Sequence, residues 1–189
     1  MASCRRDYML IGNKTNLRAL EREDLPMYAK WMNDPDFVGE FFIPMIRPVT
    51  SYEKYFSEPS PDSAVFIIEA KDGTPAGWIA HFMTRFGGYM TTKEIGYMLA
   101  PDHRKKGFAT ESVAIMLDYL FLGKEWQRIQ AVIEEENIGS KRVLEKNGFK
   151  KEGVLRMIMY SMGGAQDCTI YSILREEWKG PKVLPYVVK

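Results

Sequence analysis

The stretch from Lys93 to Phe121 changes character twice, and few folds accommodate both changes. "KEIGYMLAP" (93–101) reads as a strand that stops at Pro101, and "DHRKKG" follows as a polar, basic loop. From there Ala109, Val113, Ala114, Leu117 and Leu120 recur at three- and four-residue steps, which predicts an amphipathic helix of about 15 residues. The first turn of a helix leaves backbone N–H groups without partners and carries about half a positive elementary charge. A strand that feeds a glycine-containing basic loop into such a turn is therefore built to hold an anion, and a phosphate is the natural guest. A side chain at Gly107 would hold that phosphate away from the main chain, and Ala109 is small for the same reason. The charges of Arg104, Lys105 and Lys106 would add a local positive field.

The field has to be local, because 26 lysines and arginines nearly cancel 25 aspartates and glutamates. That balance argues against nucleic acid and against an acidic membrane surface as partners. A chain of 189 residues, 46% hydrophobic, suits one domain over 1–189, with 1–10 and 179–189 as flexible ends. Cys4 and Cys168 make no disulfide framework, and His81 and His103 lack neighbours at ligand spacing, so no metal is expected. No run approaches the ~20 apolar residues of a membrane span, and "MASCRRDYMLIGN" lacks the apolar centre of a signal peptide. A reducing cytoplasm fits these features.

The remaining elements follow from periodicity. "KTNLRAL" (14–20) alternates like a strand, and "EREDLPMYAKWMND" places Leu25, Tyr28, Trp31 and Met32 on one helical face before Pro35. The segment up to Ser63 is aromatic, proline-rich and irregular, with "TSYEKYF" (50–56) as a candidate helix. "AVFIIEA" (64–70) and "AGWIAHFMT" (76–84) flank Asp72-Gly73 as a hairpin. "RIQAVIE" (128–134) reads as a strand, "GSKRVLEKN" (139–147) as a helix, and the end as a hairpin across Met162-Gly163-Gly164. Met157, Met159 and Met162 read as strand packing. Glu134, Glu135 and Glu136 read as a solvated strand exit that a cationic substrate would welcome.

Several of these motifs together resemble the GNAT acyltransferase superfamily. Arg104, Gly107 and Ala109 match its Arg/Gln-x-x-Gly-x-Gly/Ala signature, and "ENIGSKRVLEKNGFKKEG" (136–153) resembles its second segment. "DCTIYSILREEW" (167–178) is similar to the close of the branch holding ribosomal-protein-alanine and spermidine N-acetyltransferases. The resemblance runs from "NLRALEREDLPMYAKWMND" onward and is weakest between Phe37 and Ser63. It implies a mixed α/β fold, ordered β-α-α-β-β-β-α-β-α-β-β, around a mostly antiparallel sheet splayed at a bulge. It implies acetyl-coenzyme A as co-substrate, with pantetheine along the main chain of Tyr97, Met98 and Leu99. The pyrophosphate would lie on the loop formed by Arg104, Lys105, Lys106, Gly107, Phe108, Ala109 and Thr110.

Acyl transfer to an amine needs an oxyanion donor, a base and, less strictly, an acid. The N–H of Leu99 or Met98 would be the donor. The family's usual acid, a tyrosine, is Leu144 here, so the Ser140 hydroxyl takes its place, with Asn137 binding pantetheine or acting as a helix cap. Glu94 lies on the same strand face as Gly96 and is the candidate base, with a surface salt bridge as the competing reading. The expected activity is N-acetylation by direct attack in a ternary complex. A protein N-terminal amine leads among the acceptors, ahead of a polyamine, aminoglycoside or amino sugar. A silent acyl-coenzyme A binding module is the rival, and a nucleotide-binding protein is disfavoured because the Walker pattern is absent. The acceptor would be selected by 35–60, through Phe37, Phe41, Phe42, Met45 and Tyr52. A monomer or a homodimer fits.

Overall fold

Eight strands, β1 (Met9–Ile11), β2 (Thr15–Ala19), β3 (Ala64–Ala70), β4 (Pro75–Phe86), β5 (Met90–Leu99), β6 (Arg128–Glu134), β7 (Lys150–Ser161) and β8 (Gly164–Leu174), form one sheet. The sheet is open, in the order β1-β2-β3-β4-β5-β6-β8-β7. Every pairing is antiparallel except β5 with β6. Among the described residues four helices join them: α1 (Leu25–Asn33), α2 (Pro35–Val38), α3 (Phe108–Gly123) and α4 (Ile138–Lys146). This computed structural model describes residues 9–54, 60, 62–86, 90–123, 126–161 and 163–184. Cys4, the end of the "TSYEKYF" segment and Met162 at the terminal turn lie outside the described residues.

The sheet is covered on both faces. On one face Leu17, Phe66, Ile68, Ile79, Ile95 and Ile129 pack under α3, whose residues 112–118 are all buried. Such a helix, apolar almost all round, can only sit in a core. On the other face Leu25, Tyr28, Ala29 and Met32 of α1 pack on Val65 and Ala80, each large apolar side chain contributing about 1.5–3 kcal/mol by burial. The α1 helix begins with Pro26 in its first turn and ends before Pro35.

Two features are added to the expected order. Met9–Ile11 is a strand paired with β2, so residues 9 and 10 belong to the sheet rather than to a flexible end. A short helix, α2, stands at Pro35–Val38, where Asp34 accepts the Asp36 N–H and Pro35 opens the turn; of "TSYEKYF" the described part carries the end of a 3-10 turn at Val49–Tyr52, and residues 55–56 lie outside the described residues. The splay lies between β5 and its parallel neighbour β6, where the resemblance implied it, with β4 and β5 in unbroken register from Gly77↔Leu99 to Phe86↔Met90.

The C-terminal segment is docked as far as it is described. Asp118 of α3, 1% exposed, accepts N–H bonds from Lys182 (3.0 Å), Val183 (2.8 Å) and Leu184 (3.0 Å). Val183 and Leu184 pack on the core below it. Asp118→Ala should cost about 2–3 kcal/mol, because three donors lose their buried acceptor. A lower urea midpoint, with the slope m unchanged, is expected, and an unchanged midpoint would contradict the docking.

Candidate active site

Parallel β5 and β6 pair at Lys93↔Ile129 and Glu94↔Gln130, and no further. Beyond that point β5 continues to Leu99 and β6 to Glu134 without a shared ladder, so the two strands open into a cleft of about 910 Å3. One wall is formed by residues 95–99 and the other by 131–134. Residues 38–42 and Trp78 close one side, and the loop after β5 with the first turn of α4 closes the other.

The opening determines which backbone groups are available. Ala100 N–H donates to Ala76 O across the β4 side (2.9 Å). Backbone groups alternate sides along a strand. The Met98 N–H therefore faces β4, while those of Tyr97 and Leu99 face the gap. Leu99 C=O, on that same side, accepts from Arg104 Nε (3.0 Å).

At the end of β5 the chain enters the loop with positive φ at Lys105 (61°) and Gly107 (85°). Left-handed residues in a short loop turn neighbouring N–H groups toward a common centre, an anion-binding arrangement, and α3 starts at Phe108 directly behind it. Lys14 joins this site from the β1–β2 turn: a Cβ on Gly107 would lie 3.3 Å from its Nζ. The Glu111 carboxylate holds that turn by accepting N–H bonds from Asn13 (3.0 Å), Lys14 (2.6 Å) and Thr15 (2.6 Å). Nothing in the local sequence announced Lys14, because only the pairing of distant segments brings it to the loop.

Arg104 is placed differently from the expectation. Its guanidinium is spent on Leu99 O and on the carbonyls of Asp36 (3.3 Å) and Phe37 (2.6 Å). It tethers the end of α2 to the end of β5, and its charge offsets the negative end of that short helix. Arg104, Lys105, Gly107, Phe108, Ala109 and Thr110 line the cleft, whereas Lys106 does not.

Asn137 caps α4, its side chain accepting the Ser140 N–H (3.0 Å), which leaves its amide NH2 for a ligand. Ser140 lines the cleft, and its carbonyl accepts the Tyr97 hydroxyl (3.4 Å). Burial pushes the Tyr97 phenol up to about 12, so it stays protonated and donates across the neutral range. Leu144 is fully buried in the core.

Glu94 is not brought to the cleft. Its carboxylate is bonded by Gln130 Nε2 (2.7 Å), and burial raises it above the usual carboxylate range. Four residues of extended chain, about 13 Å, separate it from Met98. The reading of Glu94 as base does not survive that distance. Glu134, read as a solvated strand exit, is instead buried and lines the cleft. Of the aromatic segment, Phe41 and Phe42 line the cleft. Phe37 (2% exposed) stacks on Trp31 at 4.8 Å, Tyr52 (8%) packs on Tyr28 at 5.4 Å, and Met45 packs on the α1 cluster, so these three are structural.

Comparison with known proteins agrees with this geometry. Residues 14–150 match the model of the acetyltransferase (GNAT) domain. The uncharacterized N-acetyltransferase p20 of Bacillus licheniformis is 40% identical over 178 residues, covering 90% of this chain and 98% of that protein. The spermidine N(1)-acetyltransferase of Vibrio cholerae is 25% identical over 170 residues, covering 89% and 97%. Two Bacillus subtilis relatives are matched over 46% and 61% of their own length. Among solved structures, Mycobacterium smegmatis RimJ in complex with CoA-disulfide superposes with a TM-score of 0.75 at 25% identity, over 92% of this chain and 88% of that one. Among the described residues no helix is long and apolar enough to cross a membrane.

The loop geometry separates two substitutions. Gly107→Ala should destabilise the empty protein by about 1–2 kcal/mol, because a side chain is strained at its φ. Lys14→Ala should leave the melting temperature unchanged and weaken coenzyme A binding roughly three- to tenfold, about 0.7–1.4 kcal/mol. Equal affinity in Lys14→Ala, measured by titration calorimetry, would remove Lys14 from the phosphate site.

Proposed function

The chain belongs to the GNAT acetyltransferase family, and we propose that it transfers the acetyl group of acetyl-coenzyme A to a primary amine by direct attack in a ternary complex. The observation that carries this reading is the parting of β5 and β6, which turns the Tyr97 and Leu99 N–H groups into a cleft that ends at an anion-binding loop. When bound, acetyl-coenzyme A supplies an activated acetyl thioester. The loop 105–110 and Lys14 hold the pyrophosphate, and the Asn137 amide and the β5 main chain orient the pantetheine arm. The Leu99 N–H stabilises the charge that develops on the carbonyl oxygen, an effect worth about 3–4 kcal/mol for one well-placed donor. Ser140, at the first turn of α4, is the hydroxyl available to protonate the leaving sulfur.

The leading acceptor is a protein N-terminal amine, which would enter beside the wall that Phe41 and Phe42 give the cleft. A small cationic amine is the second reading. It is favoured by a carboxylate-lined pocket beside the cleft and by the name of the spermidine N(1)-acetyltransferase relative. Millimolar acetyl-coenzyme A should raise the melting temperature by mass action. Thiol release in the presence of an amine should then separate an enzyme from a silent binding module, which would show the first effect without the second.

Phe41 provides a test of the acceptor side. Phe41→Ala should raise the Michaelis constant for the amine about tenfold, 1.4 kcal/mol, with that for acetyl-coenzyme A nearly fixed. Phe37→Ala should instead lower stability by about 3–5 kcal/mol. A change in the cofactor constant alone for Phe41→Ala would place that ring on the cofactor side.

A further inference from the structure

The register of the parted strands brings a second carboxylate to the place where Glu94 was expected to act. Counting four residues on from Glu94↔Gln130 along both strands sets Glu134 level with Met98 across the gap, on the sheet face that Glu94 occupies. Glu134 is 7% exposed, and its Oε1 has no hydrogen-bond partner among the described residues. Ser161 Oγ, on a residue 1% exposed, is likewise without a partner. Both line a pocket of about 300 Å3 that shares Phe41 and Glu134 with the main cleft.

The neighbouring carboxylates are treated differently by the fold. Glu135 is bonded by Lys141 (3.1 Å), by Lys151 (3.2 Å) and by the Thr169 hydroxyl. Asp167 accepts the Met157 N–H (2.9 Å). Glu134 thus retains a buried oxygen that nothing among the described residues satisfies, a costly arrangement unless a ligand completes it. The titratable groups that share a pocket with it are Glu135, Glu136 and Asp167 in the small pocket and Glu40, Tyr97, Arg104, Lys105, Arg142 and Lys146 in the main cleft, with Cys168 paired opposite it on β8. No lysine or arginine among the described residues lines the small pocket. Burial moves the Glu134 carboxyl above the usual carboxylate range, toward that of a useful base.

Resting on the acetyltransferase reading, we propose that Glu134 and Ser161 form the acceptor-amine subsite, with Glu134 as the base that deprotonates the incoming ammonium. The ammonium donates to Glu134 Oε1 and Ser161 Oγ and gives one proton to the carboxylate. The freed lone pair forms the N–C bond at the thioester carbonyl, whose oxygen takes the negative charge. That charge returns as the C–S bond breaks, and a second proton from the nitrogen leaves with the sulfur as thiol. Glu134 passes its proton to solvent, so amide, thiol and one released proton account for the reactants.

The test compares Glu134→Gln, Glu134→Asp, Ser161→Ala and Glu94→Gln in the full chain. Thiol release is followed with spermidine and with a peptide bearing a free amino-terminal alanine. Acetyl-coenzyme A binding is followed separately by the rise in melting temperature. Glu134→Gln should lower kcat/KM a hundredfold or more and lose the acidic limb of the pH profile, with the ligand-induced rise unchanged. Glu134→Asp, which keeps the carboxylate, should recover part of the rate and the limb, and Ser161→Ala should raise KM with the limb intact. Glu94→Gln should stay within threefold of the parent. The raised Glu134 carboxyl means that the folded state binds this proton more tightly than the unfolded chain, so this group's contribution to stability falls as pH rises above the usual glutamate value. The empty Glu134→Gln protein should therefore melt at or above the parent temperature at neutral pH. Glu134→Gln within threefold of the parent, with its acidic limb retained, would overturn the subsite and leave the acetyltransferase reading standing. A parent protein that acetyl-coenzyme A does not stabilise would overturn that reading itself, and the subsite with it.

Discussion

A parallel ladder that stops after two residue pairs governs this molecule. Backbone N–H and C=O groups away from water need partners, so a sheet that opens in its middle must find them elsewhere or receive them from a ligand. Here β6 turns to β8, pairing from Arg128↔Leu174 to Glu134↔Cys168, while β5 remains with β4. The inner edges are left facing each other across a cleft. Main-chain donors therefore line the site by topology, and the side chains of Tyr97, Met98 and Leu99 are free to serve packing.

Two clamps keep that opening in shape. Arg104 joins the end of α2 to the end of β5, so the segment that walls the acceptor side is tied to the strand that carries the main-chain donors. Glu111 joins the β1–β2 turn to the first turn of α3, which sets Lys14 over Gly107. In both cases a charged side chain satisfies backbone groups from a distant segment, a stronger contact than one between neutral partners. The anion loop and the acceptor wall are thus parts of one hydrogen-bonded frame.

Periodicity carried much of this in the sequence. The α1 face of Leu25, Tyr28 and Met32 and the α4 helix follow from local spacing because each buries one stripe, and α3 and β6 follow from apolar runs that are buried nearly all round. Pairing across long sequence distances was not legible. Met9–Ile11 is too short to announce a strand, and Lys14 and Gly107 meet only through the fold. The acidic run 134–136 gives no sign that one carboxylate is buried while the next is paired with lysines. Phe37 and Phe41 look alike in the chain, and only α2 decides that the first turns inward on Trp31 and the second faces the cleft.

The central claim is that the gap between β5 and β6 is the seat of the acyl donor. Backbone amide hydrogen exchange, resolved by residue with and without acetyl-coenzyme A, tests it most directly. Slowed exchange at Tyr97, Leu99 and the loop 105–110, with the Met98 amide already protected by β4 and unchanged, is the result this account predicts. Unaltered exchange at Tyr97 and Leu99 under saturating ligand would contradict it.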